Sequence, residues 1–282
     1  YQAITGSITV GEITTGAAAS TTGKVALVAG GNILDITNDT AVDITASELI
    51  LTAGGAIGKN GTTIDHLETS VAYLSTSSSN GGTWITESDS VAFTTLTVTV
   101  ERVINSGELI TSTSRPKSEQ EDLRTLGENS HLVLIATEGS ITIGGGSDKE
   151  GVVAAGNLLL SAGEGATGDA GGTIVDANIL LNASVKSTGG NISLLAEDSI
   201  TQSLTDGDII TSADNKTVDV QADDAITMYD GAVTSSKNGN IRYQAISGSI
   251  QVGAIKTGTA STTTGNVALI AGASIHDHGT DT

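Results

Sequence analysis

One five-residue pattern, apolar–any–apolar–any–small, recurs along almost the whole chain. It reads VALVA at residues 25–29, LILTA at 49–53, VAYLS at 71–75, VAFTT at 91–95 and LVLIA at 132–136. It returns as LLLSA at 158–162, ILLNA at 179–183, ISLLA at 192–196, VDVQA at 218–222, IRYQA at 241–245 and VALIA at 267–271. Most neighbours lie roughly 20 to 26 residues apart, a spacing typical of solenoids. Alternation with period two puts every second side chain on one face of a strand. Each strand is short and bounded by Gly, Asn, Asp, Ser and Thr, which form turns. A unit of this length cannot bury its apolar face alone, so it must stack on its neighbours.

A second, longer period encloses the first. The segment YQAITGSITVGEITTGAAASTTGKVALVAGGNI at residues 1–33 returns at 243–275 as YQAISGSIQVGAIKTGTASTTTGNVALIAGASI, with 22 of 33 positions identical at an offset of 242. The chain begins without Met in what reads as mid-strand. It is therefore expected to be a piece of a longer protein that carries such units in tandem.

The predicted fold is all-β: a right-handed, single-stranded parallel β-helix of roughly eleven coils, spanning residues 1–282 as one segment. At about 4.8 Å per coil the rod measures on the order of 50 Å. The composition agrees. Only six aromatic residues accompany a 38% hydrophobic content, so small aliphatics must fill a narrow lumen. The 36 glycines suit corners with positive φ. The Gly-Asn pairs at 156–157, 190–191, 239–240 and 265–266 place Asn where it can form hydrogen-bonded ladders between coils. Pro116 is the only proline, and proline would remove a ladder donor.

Twelve basic against 32 acidic residues give a net charge of −20. Nucleic acid and anionic membrane surfaces are thereby poor partners, since both need a basic footprint. There is no cysteine, hence no disulfide or thiolate chemistry. No apolar run is long enough to insert into a membrane as a helix.

The strings GKVALVAGGNI at 23–33, SELILTAGGAI at 47–57 and GNVALIAGASI at 265–275 resemble the repeats of filamentous-haemagglutinin-like large exoproteins. The resemblance covers most of the chain outside residues 111–129. It implies an extracellular, cell-surface module of a giant bacterial adhesin. Its partners would be a glycan or a surface protein of another cell, together with adjacent repeats of the same chain.

Residues 111–129, TSTSRPKSEQEDLRTLGEN, break the pattern. Ser118 with Glu121 makes a capping box, Leu123 and Leu126 are three apart, and Gly127 is placed to end a helix. The stretch reads as a charged, partly helical insertion. It is either a tolerated loop at a coil corner or a contact site built on Arg115, Lys117 and Arg124.

Parallel β-helices also host polysaccharide lyases and hydrolases. The best catalytic pair here is Asp223-Asp224, which stands without the Asn-Thr-Asp, Gly-His-Gly and Arg-x-Lys signatures of polygalacturonase-like enzymes. Trp84 is the one candidate platform for sugar stacking. Hard oxygen ligands abound, so calcium is the cofactor to consider, with Asp35, Asp39 and Asp43 as candidate ligands at a coil corner. The leading reading is a non-catalytic structural and adhesive rod, and the alternative is a carbohydrate-active β-helix.

Overall fold

The computed structural model describes residues 1–15, 23–37, 39–60, 64–113, 122–165, 176–203, 206–258 and 264–279. Their regular structure is entirely β. Twenty-five strands join in one parallel sheet that winds as a β-solenoid, with short antiparallel hairpins set beside it.

A typical coil holds three strands. Ile192–Ala196, Ile200–Gln202 and Ile209–Thr211 form one, and Val218–Ala222, Ile226–Met228 and Val233–Ser236 form the next. Each strand pairs in register with its counterpart one coil on, so Ile192 faces Val218, Ile200 faces Ile226 and Ile209 faces Thr234. Alternation sets the inside. In Ile192–Ala196 the first, third and fifth residues are buried and the other two half-buried, and Leu158–Ala162 repeats the pattern. One ladder runs through Ile8, Ile33, Ile57, Thr83, Leu132, Leu158, Ile192, Val218, Ile241 and Val267, close to the coil number expected from the sequence.

The glycines of the Gly-Asn pairs serve a different purpose from the one the sequence suggests, whereas Gly58, Gly81, Gly82 and Gly139 take the expected positive φ. Gly190 and Gly265, both from Gly-Asn pairs, do not have positive φ. A Cβ on Gly190 would fall 2.3 Å from the carbonyl carbon of Gly156, and one on Gly265 2.3 Å from the carbonyl oxygen of Gly239. Close approach of successive coils demands glycine there. The asparagine ladder forms as expected. Asn191 donates its N–H to Asn157 Oδ1, Thr217 to Asn191 Oδ1 and Asn266 to Asn240 Oδ1, each at 2.9 Å. His131 takes the same role one coil earlier, its Nδ1 accepting from the Asn157 N–H at 3.0 Å.

Large rings are few, but two lie in the lumen: Phe93 and Tyr243 are buried. Tyr243 brings a hydroxyl with it. This group donates to Gln202 Oε1 at 2.5 Å and lies 2.6 Å from Thr234 Oγ1. Gln202 in turn donates to the Gly207 carbonyl at 2.8 Å.

Three strand assignments differ from the sequence pattern. VAYLS at 71–75 is not the coil equivalent of LILTA; the ladder sets Leu49 against Leu74 and Ala53 against Ser78. VAFTT and ILLNA supply Val91–Phe93 and Ile179–Leu181, which belong to the second wall of their coils rather than the first. This explains why 179–183 and 192–196 are too close to be one coil apart.

The long strand Leu67–Ser78 causes the largest irregularity. It is one continuous strand that pairs with three strands in succession: Leu67 with Ile85, Leu74 with Phe93 and Thr76 with Leu123. Across it the walls shift. Val25 continues through Leu49, Leu74, Phe93 and Ile143, whereas its repeat equivalent, Val267, stands in the ladder of Ile8 and Ile33. The 242-residue period therefore spans about eight and one third coils, and the second copy is displaced around the rod by about one wall: Ile33 stands in the first wall and its equivalent Ile275 in the second.

The insertion begins before residue 111. Thr99–Val103 and Leu109–Thr113 form an antiparallel hairpin whose first strand is exposed throughout. Leu96 and Val98 lie over Ile50 on the outer wall. The helix expected within 111–129 is corrected for its described part: Leu123–Thr125 is a strand of the rod, and Leu123 is buried in the lumen. Leucines three apart mimicked a helix because the chain re-enters the sheet there. Arg115 and Lys117 lie outside the described residues.

Replacing the inward Leu194 by alanine should cost about 2–5 kcal/mol in urea unfolding. The same change at the outward Leu195 should cost much less. Equal losses would contradict the lumen assignment.

Candidate functional site

Three carboxylates meet where two coils turn the same corner. Asp35 closes the strand Ile33–Asp35, Asp43 stands just before Ile44–Ala53, and Glu68 lies near the start of Leu67–Ser78. One oxygen from each lies within 4.8 Å of the others, and all three residues are buried. The ladder builds the cluster. The Asp43 N–H donates to the Glu68 carbonyl at 2.9 Å, and the Glu68 N–H returns to Asp43 Oδ2 at 3.2 Å. Asp35 is fixed from its own turn, its Oδ1 accepting from the Thr37 N–H at 3.1 Å. Glu68 Oε2 is buried and has no hydrogen-bond partner.

Burial, then the negative charge of the neighbours, pushes the Asp43 carboxyl up to about 7 and that of Glu68 to about 8. A three-carboxylate cluster of this kind holds protons near neutral pH, or it holds a cation.

Of the candidate ligands Asp35, Asp39 and Asp43, the structure brings the first and last together and leaves Asp39 out. Asp39 is exposed, and its Oδ1 accepts from the Ala41 N–H at 2.7 Å, an ordinary turn contact. Glu68 was not identified from the sequence. Its signal was the coil period: Glu68 follows Asp43 by one coil length, as Asp35 follows its ladder partner Val10.

A fourth buried carboxyl, Glu87, lies inside the rod with no exposure. Its oxygens accept from Thr69 Oγ1 at 2.6 Å and from the Val71 N–H at 2.9 Å. Burial nevertheless pushes it up to about 8, with Asp89 adding to the rise.

The remaining candidates are not brought to one place. Asp223 and Asp224 occupy an exposed corner with Glu164, Glu197, Asp198 and Ser247, and among the described residues no cation or ring lines that groove. Their backbones carry the coil ladder: the Asp223 N–H donates to Ala196 and the Asp224 N–H to Asp198. Glu197 and Asp198 accept from the N–H groups of Glu164 and Ala177. These are turn carboxylates. Trp84 is half-buried on the outer face of Thr83–Glu87, packed against Gly82 and Gly58 and paired with Val133.

Arg124 is occupied by the protein's own acids. Its Nε donates to Asp122 Oδ2 at 2.8 Å, and its Nη2 to Asp148 at 2.7 Å and Glu150 at 3.1 Å. Burial works against its charge, yet these three carboxylates hold it above its ordinary range.

Comparison with known proteins yields no matching family model, no similar curated protein and no similar solved structure.

Two outcomes follow from these charges. Glu87 has an ordinary value of 4.5 when unfolded and about 8 when folded, so between those limits the folded chain holds a proton that the unfolded chain has released. Its contribution to stability falls as pH rises through that window. Glu87→Gln should therefore unfold at nearly the parent temperature near pH 5 and several degrees above it near pH 8.5; a constant difference would refute the shift. Arg124→Ala leaves Asp122 without its guanidinium and should cost about 2 kcal/mol or more in chemical unfolding. Unchanged stability would release Arg124 for ligand binding.

Proposed function

We propose that this chain is a rigid, non-catalytic spacer of a long, secreted or surface-anchored bacterial protein. It would resemble filamentous-haemagglutinin-like exoproteins in role as well as repeat pattern, and glycans or proteins of another cell would contact its flanks. The observation that carries this reading is the junction between the two copies. The second copy does not begin after a linker; Ile241–Ala245 pairs directly on Val218–Ala222 in an unbroken ladder. Tandem units joined in this way extend one rod.

Each added unit would lengthen the rod by about 40 Å, from about eight and one third coils at about 4.8 Å. The displacement of about one wall between copies would present any flank feature on successive sides of the rod. Acidic corners keep such a column soluble and discourage lateral association. Cations are tied down along its length: Lys24 pairs with Glu48, Lys149 with Asp206, Lys237 with Asp214 and Arg242 with Asp219. A surface of this kind is a poor host for a polyanionic substrate, which weighs against the lyase alternative.

A protein of two tandem units should appear in electron micrographs as one straight rod, about 40 Å longer than a single unit at the coil spacing of a parallel ladder. It should leave neutral and acidic polysaccharides uncut. Two beads on a flexible joint would overturn the spacer reading, and reproducible cleavage abolished by Asp223→Asn or Asp224→Asn would replace it with a carbohydrate-active one.

A further inference from the structure

We infer that Asp35, Asp43 and Glu68 bind a calcium ion that clamps two successive coils together at their shared corner. Two independent observations lead there. The first is convergence: an oxygen from each of three buried carboxylates lies within 4.8 Å of the others. Oxygens about 2.3–2.6 Å from one calcium ion are separated by about twice that distance or less. The second is Glu68 Oε2, an oxygen buried without any hydrogen-bond partner. Leaving a carboxylate oxygen dry and unpaired is costly unless it serves an ion.

The charge that raises Asp43 comes from Asp35, and those that raise Glu68 come from Asp43 and Asp35, all of one sign. His66, two residues from Glu68, is engaged elsewhere, its Nδ1 lying 2.8 Å from Thr86 Oγ1. A divalent cation would offset most of the three charges and replace the protons the cluster otherwise keeps.

The donor set selects among metals. All three ligands are hard carboxylate oxygens, with no thiolate or imidazole in the cluster, which disfavours zinc. They come from a turn and two strands of irregular spacing. Calcium tolerates that irregularity and completes its shell with water or carbonyls, whereas magnesium requires near-octahedral geometry. The ion would join the ends of Ile33–Asp35 and Ile44–Ala53 to Leu67–Ser78, the strand in which the walls shift. This inference goes beyond the spacer reading and does not depend on it.

The test uses the 282-residue chain, stripped with EDTA and titrated with calcium chloride or magnesium chloride at constant ionic strength. Calcium should bind saturably at one strong site. At free calcium about a hundredfold above Kd it should raise the unfolding midpoint by about 5 °C, and magnesium should do markedly less. Glu68→Gln should be at least as stable as the parent in EDTA, because it removes one charge from a crowded cluster, yet it should lose the calcium-dependent rise. Asp39→Asn should keep it. No saturable binding, an equal rise with magnesium, or an undiminished rise in Glu68→Gln would each overturn the proposal.

Discussion

The hydrogen-bond ladder between successive coils governs the rest of the molecule. A parallel solenoid satisfies its backbone donors and acceptors only if each coil lies in register on the one before it. Register then fixes what each position can be. Where corners stack, the backbones come so close that Gly190 and Gly265 have no room for a Cβ. The side chain beside such a glycine is best used to continue the ladder, as Asn157 and Asn191 do. The lumen is narrow, so aliphatic side chains stack upon their equivalents. Tyr243 is tolerated because Gln202 and Thr234 bind its hydroxyl.

Register also explains how the two periods coexist. The short one counts coils and must close on itself locally. The long one is a matter of sequence ancestry and need not contain a whole number of coils. Leu67–Ser78 reconciles them by pairing as one continuous strand with three partner strands. Closely similar sequences at the two ends of the chain thus fold into similar local strands on different walls of the rod.

Much of this was legible in the amino-acid sequence because the ladder depends on local alternation. Residues 158–162 and 192–196 announce their inward and outward faces without any tertiary information. What escaped was set by the partner coil. VAYLS at 71–75 matches the apolar pattern, yet its register follows from pairing Leu74 with Leu49. Leu123 and Leu126 have helical spacing, but the lumen takes Leu123 as a strand residue and leaves Leu126 exposed. Asp35 and Asp43 were visible as acids near a corner. Glu68 required knowing that one coil separates it from Asp43, and nothing in its own neighbours marks it as buried.

The coils around the wall shift are built differently from the rest, and this bears on where the rod is weakest. Thr69, Thr76, Thr83 and Glu87 are all buried there, at positions that aliphatic side chains mostly fill in later coils. The hydroxyls of Thr76, Ser78 and Thr83 have no hydrogen-bond partner. Buried polar groups contribute less than the aliphatics they replace and cost more when unsatisfied. Cooperative opening in a repeat protein starts where neighbouring units hold each other least. Asp43, Glu68 and Glu87 lie in or beside that same stretch, so the protons or cations they hold act where the column has the least stability to spare. Local ionic conditions thereby gain more influence over the whole rod than three side chains would have in an aliphatic coil.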